Sequence, residues 1–189
     1  MRFTRATLES YRGATVPDLV GPGLRLLIVG INPGLWTAAV ATHFAHPGNR
    51  FYPALRRAGV IERDIDRGVG MTAEDRAYLI GRGIGITNLV AQATAKASEV
   101  SAAELRAGGE RLLGFVRRHQ PVVVAVAGVT AYRIAFGVRY AALGRQPEPF
   151  GGAVMWIVPN PSGLNAHETI DTLAAAYRDP AVVAGIVAP

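Results

Sequence analysis

Leu26-Leu27-Ile28-Val29-Gly30-Ile31-Asn32-Pro33-Gly34 is the stretch on which the reading of this chain turns. Four apolar residues run without a break and stop at glycine, the pattern of a strand buried on both faces, as in a parallel sheet. A polar residue follows, held in an Asn-Pro-Gly turn. Pro33 keeps Asn32 out of the helical region and fixes its own φ. Gly34 lets the backbone approach a ligand closely or take positive φ. Open α/β sheets bind ligands beyond the carboxyl ends of their strands, so Asn32 stands where such a fold puts its chemistry. Taken alone, an Asn-Pro-Gly is more often only a turn. A second stretch shifts that balance: Met155-Trp156-Ile157-Val158 runs into Pro159-Asn160-Pro161-Ser162-Gly163. Two strands that each deliver an Asn-Pro turn place two rigid loops on one rim.

Strand and helix patterns alternate outward from these two points. Strands are expected at 24–30, 84–90, 122–127 and 153–158. Asn49 is placed to cap a helix over 50–58. Thr72 with Asp75, and Ser101 with Glu104, have the spacing of capping boxes for helices reaching about 81 and 119. Leu105, Leu112, Leu113 and Val116 form an apolar helical stripe. A short helix is expected at 130–136, and Asn165 is placed to cap a last helix with Leu173 and Tyr177 on its inner face. Loops fill 31–49, 60–71, 91–98 and 137–152. The alternation predicts an α/β fold, a three-layer α/β/α sandwich with a mainly parallel four-stranded sheet.

Composition narrows the function classes. A length of 189 residues fits one domain (1–189), with a lead-in at 1–23 and an apolar tail at 181–189 that either packs on the core or frays. Half the residues are hydrophobic and 18% are charged, enough for a full core without staples. There is no cysteine, hence no thiolate chemistry, and the four histidines have no metal-cage spacing. Apolar runs such as Val122 to Ala127 are far shorter than the ~20 residues of a membrane helix. The first ten residues lack the apolar core of a signal peptide, so a cytoplasmic protein is expected. The net charge of +6 favours a polyanionic partner. Lys96 is the only lysine among the basic residues.

Three segments together resemble a known family: Gly30-Ile31-Asn32-Pro33-Gly34, Phe44-Ala45-His46-Pro47-Gly48-Asn49-Arg50-Phe51, and Asn160-Pro161-Ser162-Gly163-Leu164. In order and spacing they are similar to the signature segments of the mismatch-specific uracil-DNA glycosylases, the group that includes the thymine-DNA glycosylases. The likeness spans about Leu24 to Tyr177. It implies a uracil-DNA glycosylase-like fold and a monofunctional enzyme without cofactor or metal, acting as a monomer. Its partner would be double-stranded DNA carrying a G:U or G:T mismatch, from which it would flip the base and hydrolyse the N-glycosidic bond.

Under that resemblance, Asn32 holds a water in line with the sugar carbon. An amide is no strong base, but its carbonyl oxygen orients a nucleophile. Backbone N–H groups in the loops of Ile31 and Phe44 stabilise the departing base. Phe44 stacks on the base, and Ile31, Gly34, Thr37 and Asn88 complete the pocket. Asn88, at the end of the second strand, reads equally well as a structural residue. His46 and Asn49 brace the loop. Gly163, Leu164 and Asn165 form the wedge that fills the emptied stack and meets the orphaned guanine. Ser162 and the following helix N-terminus hold a phosphate.

The sequence departs from the family pattern at Trp36 and Thr37, at Ala166 after the wedge, and in the loop 91–95, which holds no carboxylate. The alternatives are a general uracil-DNA glycosylase that also acts on single strands, and a non-catalytic α/β module that binds DNA or a nucleotide.

Overall fold

The computed structural model describes residues 3–189. Five strands form one sheet: β1 (Leu26–Gly30), β2 (Ile84–Asn88), β3 (Val123–Ala127), β4 (Gly144–Arg145) and β5 (Val154–Val158). Their order is β2-β1-β3-β5-β4. β1 runs parallel to both β2 and β3, and β3 parallel to β5; β4 alone is antiparallel. Among the described residues, seven α-helices surround it: α1 (Arg5–Glu9), α2 (Leu35–Ala39), α3 (Phe51–Arg57), α4 (Ala73–Gly81), α5 (Ala102–His119), α6 (Val129–Phe136) and α7 (Ile170–Val183).

β1 and β3 carry no polar side chain because both faces are covered. Alternate residues point to opposite sides. Leu26 and Ile28 join one core with Phe51, Leu55, Leu79 and Tyr177, under α3, α4 and α7. Leu27 and Val29 join the other with Leu105, Leu112, Val116 and Tyr132, under α5 and α6. α5 sits unusually close to the chain leaving β2: a Cβ at Gly108 would overlap the backbone of Leu89. The capping boxes of α4 and α5 form as their spacing predicts, each with the hydroxyl accepting from the third helical N–H.

Four expectations change. The loop 137–152 contains β4, a two-residue edge strand paired with β5. The loop 31–49 contains α2, one short turn of helix with no side-chain cap to signal it. The last helix starts at Ile170, where Thr169 caps it in a box with Thr172. Asn165 instead turns into its own loop, donating to Asn160 O at 3.1 Å and accepting from His167 N. A helix N-terminus therefore does not follow Ser162 directly. The apolar tail packs: Ala181 and Ala184 are fully buried, and Arg25 Nε donates to Ala184 O at 2.6 Å. Among the described residues, no helix is long and apolar enough to cross a membrane.

Candidate active site

After β1 the chain moves to β2 on one side and later returns to β3 on the other. Connections leaving the carboxyl ends of β1 and β3 therefore part in opposite directions, and a crevice opens between them. A cleft of about 1100 Å³ lies there. The loops after β1, β2 and β5 all reach it, and with them every residue singled out from the sequence: Ile31, Asn32, Gly34, Thr37, Phe44, Asn88, Ser162, Gly163, Leu164 and Asn165.

Asn32 is held by one end. Its Nδ2 donates to Thr94 Oγ1 at 2.7 Å, Pro33 O at 3.0 Å and Gln92 O at 3.2 Å. Two of these partners are carbonyl oxygens that can only accept, so the amide cannot be turned round. Oδ1 has no protein partner among the described residues and is left as a fixed acceptor. Thr94 is itself anchored, donating its hydroxyl to Lys96 O at 2.8 Å and its N–H to Pro33 O at 3.2 Å. The small-residue loop 91–96 is thus the cradle of the Asn-Pro-Gly turn.

Phe44 stands at φ 56°, a left-handed conformation that bulky residues rarely take. One face of its ring lies against Phe51, with centroids 4.1 Å apart and planes tilted by 30°. The ring also reaches the cleft. His46 and Asn49 shape the turn that follows: Gly48 N donates to His46 Nδ1, and Phe51 N to Asn49 Oδ1. Asn88 is the register partner of Gly30. Its Nδ2 lies 3.1 Å from Nδ1 of His43, whose Nε2 lies 3.0 Å from Pro17 O. His43 is 3% exposed, and burial holds its imidazole below the ordinary value, keeping it neutral. Thr37 is buried, its hydroxyl accepting from Ala45 N.

Across the cleft, Leu164 is 89% exposed on a loop tip. Arg50 fixes the loop beneath it. Its Nη2 donates to Ser162 O at 2.6 Å and Asn165 O at 2.7 Å, and its Nη1 to Glu168 O. Its own N–H donates to Pro161 O at 3.0 Å. Gly163 abuts the carbonyl of Gly48, where a Cβ would overlap. Ser162 Oγ accepts from Leu164 N at 3.3 Å, which leaves its hydroxyl hydrogen free to donate outward.

The lead-in supplies a further wall. Arg5, Leu8 and Glu9 of α1 line the cleft. Trp36 packs edge-on against Phe3 and His46, at 4.9 and 6.1 Å between centroids. Arg12 bridges Glu9 and Glu99 and so ties α1 to the turn after Lys96. Glu9 is the one carboxylate among the described lining residues, and it is paired. Lys96 also lines the cleft. Among the described residues, no group of three or more His, Asp or Glu is placed to hold a metal.

Sequence reasoning missed the second layer. Thr94 and Gln92 hold Asn32 from sixty residues away, His43 holds Asn88, and Arg50 holds the Leu164 loop. Arg50 lies inside the segment Phe44–Phe51, which is its only signal in the sequence. Thr94 and His43 had none beyond being polar residues in apolar or small-residue surroundings.

Comparison with known proteins shows the family and the fold. The family model described as the uracil DNA glycosylase superfamily matches residues 17–180. The solution NMR structure of a protein from Methanosarcina acetivorans, provisionally named a uracil DNA glycosylase, superposes with a TM-score of 0.60 at 14% identity. That match covers 93% of this chain and 98% of the other. At such identity it shows a shared fold.

Proposed function

The chain belongs to the uracil DNA glycosylase superfamily, and from that premise we propose a monofunctional glycosylase that removes uracil from mismatches with guanine in double-stranded DNA. Thymine and related damaged bases are further candidates. The observation that carries the reading is the fixed amide of Asn32: three acceptors hold Nδ2, and Oδ1 is left to orient a water. No unpaired carboxylate among the described lining residues competes for that task. If the glycosidic bond breaks ahead of attack, a weakly nucleophilic water suffices and its orientation matters more than its basicity. Stabilisation then falls on the leaving base, from backbone N–H groups in the loops of Ile31 and Phe44. Phe44, backed by Phe51, offers the stacking face, with Ile31, Gly34, Thr37 and Asn88 around the base.

Leu164 is the wedge. Its side chain stands free at a loop tip on the rim of the cleft, and a flipped base leaves a gap that such a side chain fills. The side chain of Asn165 is engaged within its own loop, so contact with the orphaned guanine falls to the backbone around Gly163 and Asn165. Ser162 contributes its free hydroxyl hydrogen to a phosphate.

Base release from oligonucleotides with uracil opposite guanine, uracil opposite adenine and uracil in a single strand tests the reading. Fastest release opposite guanine is expected. Equal rates on all three would make this a general uracil-DNA glycosylase, and no release from any would leave a non-catalytic binding module.

A further inference from the structure

We propose that His43 is a positioning residue: it locks the amide of Asn88 in one orientation and thereby decides which base edge the cleft accepts. The inference rests on the glycosylase reading above and assigns part of its specificity to a residue outside the signature segments' chemistry.

Pro17 O can only accept, so the His43 nitrogen facing it, Nε2 at 3.0 Å, carries the hydrogen. Burial keeps the ring neutral, so Nδ1 bears a lone pair. The Asn88 atom 3.1 Å from that lone pair must then be the donor Nδ2. The opposite orientation would set Oδ1 against Nδ1, acceptor against acceptor. Asn88 Oδ1 therefore projects over Gly30, where a Cβ would overlap it, beside the Phe44 ring. That is the side on which a base stacked on Phe44 presents its edge.

Orientation matters because an unrestrained asparagine reads two kinds of edge. With Oδ1 leading it accepts from a ring N–H beside a carbonyl, as in uracil and thymine. Turned by half a rotation, it meets a ring nitrogen acceptor beside an amino group, as in cytosine. His43 removes the second option. Glycine at position 30 belongs to the same arrangement, since any side chain there would occupy the place of Oδ1.

The groups facing His43 are few. Asp18, bonded to Thr87 Oγ1 at 2.6 Å, favours its protonation, and Arg76 opposes it. Protonation would put a hydrogen on Nδ1 and turn it from acceptor to donor, so acid reverses the preference of Asn88.

Three measurements on the 189-residue chain test this. Long-range ¹H–¹⁵N spectra of histidine-labelled protein should show His43 as the neutral Nε2–H form, and Asn88→Asp should draw the proton toward Nδ1. An Nδ1–H form in the unsubstituted protein would overturn the proposal whether or not the protein excises uracil. In single-turnover release from a U:G duplex, His43→Phe should be slower by about tenfold, the scale of one lost oriented hydrogen bond. It should have no further effect in an Asn88→Ala background. Binding to a duplex holding an abasic site, which has no base to read, should stay within about twofold of the unsubstituted protein. Equal losses from His43→Phe in both backgrounds would make His43 merely structural. Absence of release from every uracil duplex would count against the glycosylase reading, while the spectra would still decide the orientation of Asn88.

Discussion

Arg50 Nη2 and the carbonyl oxygen of Ser162 lie 2.6 Å apart, although 112 residues separate them in the chain. The same guanidinium also takes the carbonyls of Asn165 and Glu168. It is a planar fork that a lysine cannot imitate. Arg50→Lys should therefore loosen the Leu164 loop, slowing excision in duplex DNA by about tenfold while costing less in single strands. Single-turnover rates on the two substrates check this, and equal loss on both would place the defect in the pocket instead.

Asn32→Ala should slow excision by at least ~100-fold, the scale of a lost positioning or electrostatic group, with DNA binding retained. Asn32→Asp should not rescue it. A carboxylate there would face Pro33 O and Gln92 O, acceptors that the amide satisfies as a donor. Single-turnover kinetics beside a binding titration separates loss of chemistry from loss of affinity.

Leu164→Ala removes side chain that touches little in the free protein, so its melting temperature should hardly move. Excision from duplex should fall several-fold more than excision from single strands, because only the duplex has a stack to refill. Paired rates and a thermal melt test both halves of the statement.

Stability should depend on pH through His43. Its folded pKa lies below the ordinary 6.5 because burial penalises the charged ring. Below pH 6.5 the unfolded chain takes up a proton that the folded chain refuses, so stability falls as the pH drops from there toward the depressed folded value. Above it this group adds no slope. Urea midpoints at about pH 8 and about pH 5.5 should differ more for the unsubstituted protein than for His43→Gln.

Lys96 lines the cleft, yet a water held by Asn32 leaves an intact abasic sugar. The product strand should break only after alkali or heat, and borohydride added during turnover should trap no protein–DNA adduct. An adduct that disappears in Lys96→Ala would make the amine the nucleophile.

The four long strands were legible in the sequence because burial on both faces leaves a mainly apolar run, and the glycine, Asn or Asn-Pro that ends the run marks the rim. The capping boxes were legible because their chemistry is local. The fifth strand was not, since two residues at a sheet edge carry no periodicity. Asn165 misled because an asparagine before a helix has other uses; here it closes a loop on Asn160, and Thr169 is the cap. Within the site, residues at the tips of strands announced themselves through Asn-Pro turns. The groups that orient them, Thr94, His43 and Arg50, reach across 45 to 118 residues of chain. No linear spacing encodes such contacts.

The close approach of Gly163 to the carbonyl of Gly48 carries an engineering consequence. The base-stacking loop and the wedge loop interlock without side chains between them, so neither is an interchangeable cassette. Lengthening one, or grafting it from a relative, displaces the other. Any redesign of substrate range in this scaffold has to move the two loops as one part, with the arginine that joins them.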